Sequence, residues 1–444
     1  MSKAELESKH LAQLHALALE AGIEGYRKLP REQLVEELLV HGDVPSSRAA
    51  ESEDGEPKKG ERRPRRRGRG RAGGSRERED DAGDEAGASA PEREQAEGEE
   101  VTGILDVLPQ GHGFARLAGL DPADDDVYVS ASQIRRCELR AGDEVTGVAR
   151  DPRRGERHRA LVRVERVNGA EPATEREDSF EKLTPVPPHR RIAMHAETDD
   201  VLVRAVDLLA PLAYGQRVLV RARPRSGRTT LLRGVAQAIL AAPDAPRVIV
   251  LLVDERPEEV TEWRRLVPEA EIAAAAADLE PADQVRHAEL AVSRARRRAE
   301  SGEDVVLLID SLTRLGVAAR DPAAVKPYFG AGRELEEEGS GSLTVIATVL
   351  TGTDDGDGAA TAVETTESST IVLDPELAAA GVVPALDVAA TGVAREDSLR
   401  GPEELEPVRS LRAELRAMPA EEAARALAER IRSSPSNSEL LGSL

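Results

Sequence analysis

Four apolar runs limit what this chain can fold into: "QRVLVRA" (216–222), "RVIVLLVD" (247–254), "DVVLLID" (304–310) and "SLTVIATVL" (342–350). Each is nearly continuous rather than alternating, so both faces of each strand must be covered. The stretches between them have helical character, and strands separated by helices form a parallel sheet sandwiched between helical layers. An α/β domain over roughly residues 201–430 is therefore expected, with "PAEEAARALAERI" as a closing amphipathic helix and 431–444 as a flexible tail. With 444 residues, the chain has room for further domains before it.

Residues 101–170 read differently. "VTGILDVL", "GHGFARL", "DVYVS", "DEVTGVARD" and "RALVRVERV" are short, partly alternating and separated by Gly, Asp and Pro, which suggests a small antiparallel barrel. A linker, 171–200, joins it to the α/β domain. Residues 1–42 carry helical spacing in Leu11, Leu14, Leu17 and Ala21, and again in "LPREQLVEELLVHG". Between the helices and the barrel, 43–100 has hardly a large apolar side chain and is expected to be disordered. Its basic block "PKKGERRPRRRGRGRAGGSR" and acidic block "EREDDAGDEAGASAPEREQAEGEE" leave two readings open, a solvated linker or auxiliary RNA contact. The net charge of −22 argues against indiscriminate coating of nucleic acid, though a local basic site remains compatible with it. One cysteine, Cys137, fits a reducing compartment. The charged start and the absence of a long apolar run predict a soluble cytoplasmic protein with neither signal peptide nor membrane span.

Chemistry concentrates in two places. On the barrel, strand alternation puts His112, Phe114 and Arg116 on one face, and "DDDVYVSASQIRR" adds Tyr128, Arg135 and Arg136. Rings beside arginines suit single-stranded nucleic acid, bases stacking while cations follow the backbone. The competing reading makes Phe114 and Tyr128 core residues, but aromatics are only 2% of the chain and two of them fall in this module. In the α/β domain, "RARPRSGRTTLLRGVAQAIL" (221–240) follows a strand and opens a helix, the setting of a phosphate-binding loop. Gly227 would allow close approach, and Thr229 could offer its hydroxyl to magnesium. Asp310 closes a second strand, where a carboxylate would hold magnesium through water, and a third strand ends in Asp254, Glu255 and Arg256, where a carboxylate could polarise water.

The segments "DERPEEVTEW", "DVVLLIDSLTRL", "PYFGAGRELEEEGSGSLTVIATVL", "DVYVSASQIRR" and "GHGFARL" resemble those of the transcription termination factor Rho family, in the family's order. The resemblance spans 1–42 and 101 to about 430. It implies a multidomain chain with a small N-terminal helical domain, a cold-shock or OB-like RNA-binding barrel, and a RecA-like P-loop domain. It also implies ATP and Mg2+ as cofactors and a hexameric ring, either a homohexamer or mixed with another Rho, acting on nascent RNA and RNA polymerase. The nucleotide segments fall on Gly215, Gln216 and Arg217 and on Arg225, Ser226, Gly227, Arg228, Thr229 and Thr230, with Arg256 a further nucleotide contact. Glu255 takes the catalytic position, and Asp310 with Thr229 the magnesium position. The primary RNA site falls on His112, Phe114, Arg116 and Tyr128, with Glu156 and His158 supplied by "GERHRAL".

Departures cluster at these sites. Arg225 and Arg228 replace two loop lysines, and an arginine's planar fork does not occupy a lysine's position. Ala390 stands at the position of the inter-subunit arginine finger, and Pro375 at that of a second arginine. One pore loop is shortened to "GVAARDPAAVK", and the other, "TGTDDGDGAATAVE", brings Asp354, Asp355 and Asp357 where a lysine is usual. Two functions are therefore expected from the same family label. One is an RNA-dependent ATPase and helicase that terminates transcription. The other, favoured by the departures, is a Rho-derived RNA-binding or regulatory ring subunit with little ATPase or helicase activity.

Overall fold

The structure, a computed structural model, describes residues 98–172, 179–195 and 200–444, together with Gln33, Val35 and Leu38. Those three are helical, with Val35 and Leu38 buried; the rest of the expected N-terminal helices and the 43–97 part of the charged insertion lie outside the described residues. Two compact units divide the chain, Met1–Ala88 and Ser89–Leu444.

The second unit begins with a closed five-stranded barrel. Its elements are β1 (Glu99–Val107), β2 (Gly113–Arg116), β3 (Val127–Val129), the short helix α1 (Ala131–Arg136), β4 (Glu144–Arg150) and β5 (Ala160–Val167), in the order β1-β2-β3-β5-β4. Leu105, Ala115, Val127, Val129, Val145 and Leu161 fill its interior. Closure joins β3 to β5 in parallel through Tyr128 and Ala160, so the barrel is not wholly antiparallel. Ser130 caps α1 in a reciprocal capping box with Gln133, whose side-chain amide donates to the Leu161 carbonyl (2.8 Å) and pins the helix to β5.

The rest of the unit is the expected sandwich. In chain order come β6 (Pro185–Val186), α2 (Val201–Leu209), β7 (Arg217–Ala222), α3 (Arg228–Leu240), β8 (Arg247–Val253), α4 (Pro257–Leu266), β9 (Glu271–Ala275) and α5 (Pro281–Glu300). They are followed by β10 (Asp304–Asp310), α6 (Leu312–Ala318), β11 (Arg333–Leu335), β12 (Ser342–Leu350), α7 (Asp354–Val363), β13 (Ser369–Leu373), β14 (Gly392–Val393), α8 (Pro402–Arg416) and α9 (Ala420–Arg432). The sheet runs β14-β13-β7-β12-β10-β8-β9, parallel from β13 to β9, with β11 and β6 added beside β12. Period-two alternation sends Val218, Val220, Val250 and Leu252 into one core layer and Leu219, Ile249, Leu251 and Leu307 into the other. This double burial is why the four runs carry no polar alternation.

Two expectations need correction. The linker 171–200 contributes structure: Pro185 and Val186 pair with β11, and Ile192 is buried in the sheet core. The tail 431–444 is docked. Arg204 on α2 donates to the carbonyls of Ile431 and Ser434 (2.8 Å each), Leu440 and Leu441 are buried, and Asn437–Gly442 is helical.

Barrel and sheet are joined closely. Ile104 and Leu120 of the barrel enter the core beneath the sheet. Arg294 on α5, almost fully buried, pairs with Glu144 of β4 at 2.8 Å. Gly142 has φ +83° and lies so near α5 that a Cβ there would sit 2.4 Å from the Arg294 amide nitrogen. Asp121, in the β2–β3 loop, accepts from the Ala274 amide of β9 (2.8 Å) and pairs with Arg264 of α4 (2.6 Å).

Candidate nucleotide and RNA sites

A parallel sheet collects its strand C-termini on one edge, where α/β folds bind ligands. Here β7 delivers the glycine-containing loop, β8 delivers Glu255 and β10 delivers Asp310. Gly227 (φ +91°) is the N-cap residue of α3 and has no side chain to satisfy the first-turn amides, leaving a helix N-terminus that suits an anion. Ser226 is buried and donates its hydroxyl to the Arg223 carbonyl (2.7 Å), so it shapes the loop; Arg225 holds φ +66°, and Thr229 and Thr230 lie in the first turn of α3.

Arg228 does not project away from this edge. Its Nε lies 2.9 Å from Asp310 Oδ1 and its terminal nitrogen 3.0 Å from Glu255 Oε1, bridging the two carboxylates. Glu255 also pairs with Arg314 of α6 at 2.6 Å, and Arg314 donates to the Asp254 carbonyl (2.7 Å). Burial pushes the Glu255 carboxyl above its ordinary value, reinforced by the charge of Asp310, although both arginines oppose the shift. Asp310 is anchored by the Thr348 hydroxyl (2.9 Å) on Oδ1, while its buried Oδ2 has no hydrogen-bond partner. An acceptor orphaned at a strand end fits water on a magnesium ion that arrives with nucleotide.

Three of the expected nucleotide residues are not brought to this edge. Gly215, Gln216 and Arg217 lie at the opposite end of β7. The Gly215 amide donates to Thr344, Gln216 is buried and bonds the backbone at Pro211 and Ala213, and Arg217 donates to the carbonyls of Thr366 and Gly332. Arg256 is the N-cap residue of α4 with an exposed side chain. Ala390 is exposed, its amide bonded to Asp387 (3.0 Å), and Pro375 opens a short helix. Asp354, Asp355 and Asp357 form the first turn of α7, capped by Thr353, where negative charge complements the helix dipole.

On the barrel, Phe114 and Tyr128 are directly opposed across β2 and β3, which places the rings together. Ring centroids are 6.0 Å apart for Phe114–Tyr128, 5.4 Å for His112–Tyr128 and 5.1 Å for Phe114–His158. Tyr128 is 36% exposed, which rules against a core role for it. Arg116 behaves otherwise. It is buried between Asp106 and Asp126, with its guanidinium carbon 5.7 Å from the centre of the Phe114 ring. Burial opposes its charge, but hydrogen bonds and attraction from the two aspartates outweigh that and hold it above the ordinary arginine range. Its place is under the ring cluster, as a support. Arg135 and Arg136 are exposed on the last turn of α1; Arg136 lines a pocket of about 590 Å³ with Tyr128 and His158. Glu156 is clasped by Arg150 through both oxygens (2.7 and 2.9 Å) and accepts from the Arg153 amide (2.9 Å). These hydrogen bonds, Arg150 foremost, lower its carboxyl to about 2.

Sequence reasoning passed over Arg314, Thr348, Arg150 and the aspartates flanking Arg116. Arg314 was within reach, four residues after Asp310 in "DSLTR"; Thr348 and Arg150 carry no local signal, because strand pairing and loop closure bring them in.

Comparison with known proteins agrees with this architecture. The family described as "Rho termination factor, N-terminal domain" matches residues 5–40, "Rho termination factor, RNA-binding domain" matches 101–173, and "ATP synthase alpha/beta family, nucleotide-binding domain" matches 203–326. The transcription termination factor Rho of Aquifex aeolicus is 39% identical over 366 residues, covering 77% of this chain and 84% of that protein. The factor of the same name from Mycobacterium bovis is 38% identical over 418 residues, covering 88% and 67%. That from Bacillus subtilis is 38% identical over 333 residues, covering 70% and 77%. With both sites standing on the domains these proteins share, the chain belongs to the transcription termination factor Rho family.

Proposed function

We propose that this Rho-family chain terminates transcription as a cytoplasmic ring, a homohexamer or a mixture with another Rho, that loads on nascent single-stranded RNA and meets RNA polymerase. Bases stack on Phe114, Tyr128, His112 and His158, with Arg136 and Glu156 at the pocket beside them. ATP lies with its phosphates over the Gly227–Thr230 turn. Asp310 and Thr229 would hold the magnesium that accompanies it, an ion that neutralises phosphate charge. Glu255 orients the attacking water, and Arg228 and Arg314 hold its carboxylate in place. The carrying observation is the joint presence, in one compact unit, of a half-buried ring cluster on a barrel face and a glycine-containing loop facing two strand-end carboxylates.

Family membership favours this reading over a subunit without motor activity, and the departures bear on rate. Arg228 is spent on Glu255 and Asp310, and Ala390 brings no cation, so turnover should be slow. RNA binding, ATP binding and RNA-stimulated hydrolysis by the purified chain test the proposal, with termination on a transcribing polymerase as the end point. Measurable RNA-stimulated hydrolysis with termination supports it. RNA and ATP binding without hydrolysis or termination would instead establish the regulatory subunit.

A further inference from the structure

The barrel and α5 enclose a groove of about 550 Å³ next to the ring cluster, walled by Leu108, Phe114, Pro122, Arg157 and His158 from the barrel and by Arg286 from the sheet domain. Phe114 and His158 are also members of the ring cluster, so the groove continues the face on which bases stack. We infer that Arg286 is an RNA-binding residue, taking a phosphate of the strand held on the barrel. This inference rests on the barrel being the RNA site.

Charge and reach support it. Arg116, Asp106 and Asp126 form a buried trio with one negative charge in excess, and Arg286 faces it with Nε 3.8 Å from Asp106. A terminal nitrogen of Arg286 lies 3.3 Å from Asp283 on its own helix, and its side chain is 35% exposed. These are long, weak pairings for a group with five donors, and the exposed side of the guanidinium borders the groove. Asp124 lines the groove too, but Arg157 lies 3.6 Å from it and offsets its charge. A base stacked on Phe114 and His158 leaves its sugar and phosphate in the space that Arg286 borders. Arginine suits that position because its fork pairs phosphate oxygens in two-pronged fashion.

The assignment gives the sheet domain a direct hold on barrel-bound RNA. Helix α5 carries Arg286 near one end and, two turns on, Arg294 fixed to Glu144; it packs on β8, β9 and β10, which lead to Glu255 and Asp310. RNA occupancy would thus be felt by the helix behind the nucleotide edge without passing through a linker.

The test is RNA affinity of the full chain against salt. Anisotropy of a labelled single-stranded RNA of about a dozen nucleotides gives log Kd as a function of log salt for the parent, R286A, R286K, R286Q and F114A/Y128A. Loss of one phosphate contact reduces the slope by roughly 0.7. R286A and R286Q should bind more weakly and show that reduced slope, and R286K should restore it. A dinucleotide too short to cross the groove should bind R286Q as it binds the parent. Should R286A fail to fold, R286Q carries the same test. An unchanged slope in R286Q overturns the inference, and if its melting temperature falls at the same time, Arg286 merely offsets Asp106. If F114A/Y128A binds as the parent does, the barrel reading itself fails, which is a separate result.

Discussion

Single residues set the chemistry here, and Arg228 is the most consequential. Replacing it by alanine would leave Glu255 and Asp310 facing each other in a buried site, and breaking a buried pair typically costs about 3–5 kcal/mol. Chemical denaturation should show R228A destabilised within that range, reduced by whatever Arg314 compensates. R228K should hydrolyse ATP faster than the parent, because an ammonium cannot span both carboxylates and would leave Asp310 Oδ1 bonded by Thr348 alone; equal or lower turnover would place the defect elsewhere, at Ala390 first. On the barrel, F114A and Y128A should each weaken RNA binding by about 1–3 kcal/mol, read by anisotropy. The types at these positions were legible in the sequence, since Gly227, Glu255 and Asp310 sit where strands hand over to loops. What Arg228 touches was not legible, because its partners come from two other strands and meet it only through the sheet order. Arg116 shows the same limit: its spacing predicted a solvent-facing cation, while Asp106 and Asp126, ten residues away on either side, claim it below the surface.

Among elements, legibility followed burial pattern. The four apolar runs became β7, β8, β10 and β12 because double burial leaves a signature in every residue. β6, β11 and β14 are two or three residues long, too short for a period to show, and pair only because longer strands are already in place. The helix α7 was hidden by its acids, which read as a loop although at a helix start they complement the dipole. The segment joining β4 to β5 allows a pH prediction. The Glu156 carboxyl, at about 2 against an ordinary 4.5, stabilises its clasp with Arg150 and Arg153 fully above about pH 4.5. That contribution is lost as pH falls from 4.5 toward 2, because the folded state then has to accept a proton it binds poorly. Side-chain NMR of Glu156 should titrate near the lower figure, and R150A should return it toward the higher one.

At the scale of the whole unit, barrel and sheet domain are held as one by contacts distant in sequence, which no local pattern could announce. Gly142 is the tightest of them. In G142A the new methyl would meet the α5 backbone and hold a positive φ, so the turn must withdraw from the helix. The expected outcome is a lowered melting temperature with faster protease cleavage between 168 and 200, while the isolated barrel keeps its RNA affinity. A melting curve matching the parent's would show that the docking tolerates the methyl. Asp121 has a different consequence. The barrel loop that carries it lies along β9, the terminal strand of the sheet, and occupies the Ala274 amide with a carboxylate. An uncovered terminal strand offers a row of unpaired amides and carbonyls to any second chain, and proteins protect such rows with charge or a covering loop. The barrel therefore also shields this end of the sheet from strand pairing with a second chain. A chain shortened to begin at Ser179 should precipitate or run as aggregates larger than any assembly of the parent on size-exclusion chromatography, and D121A in the full chain should move part of the way toward the same behaviour.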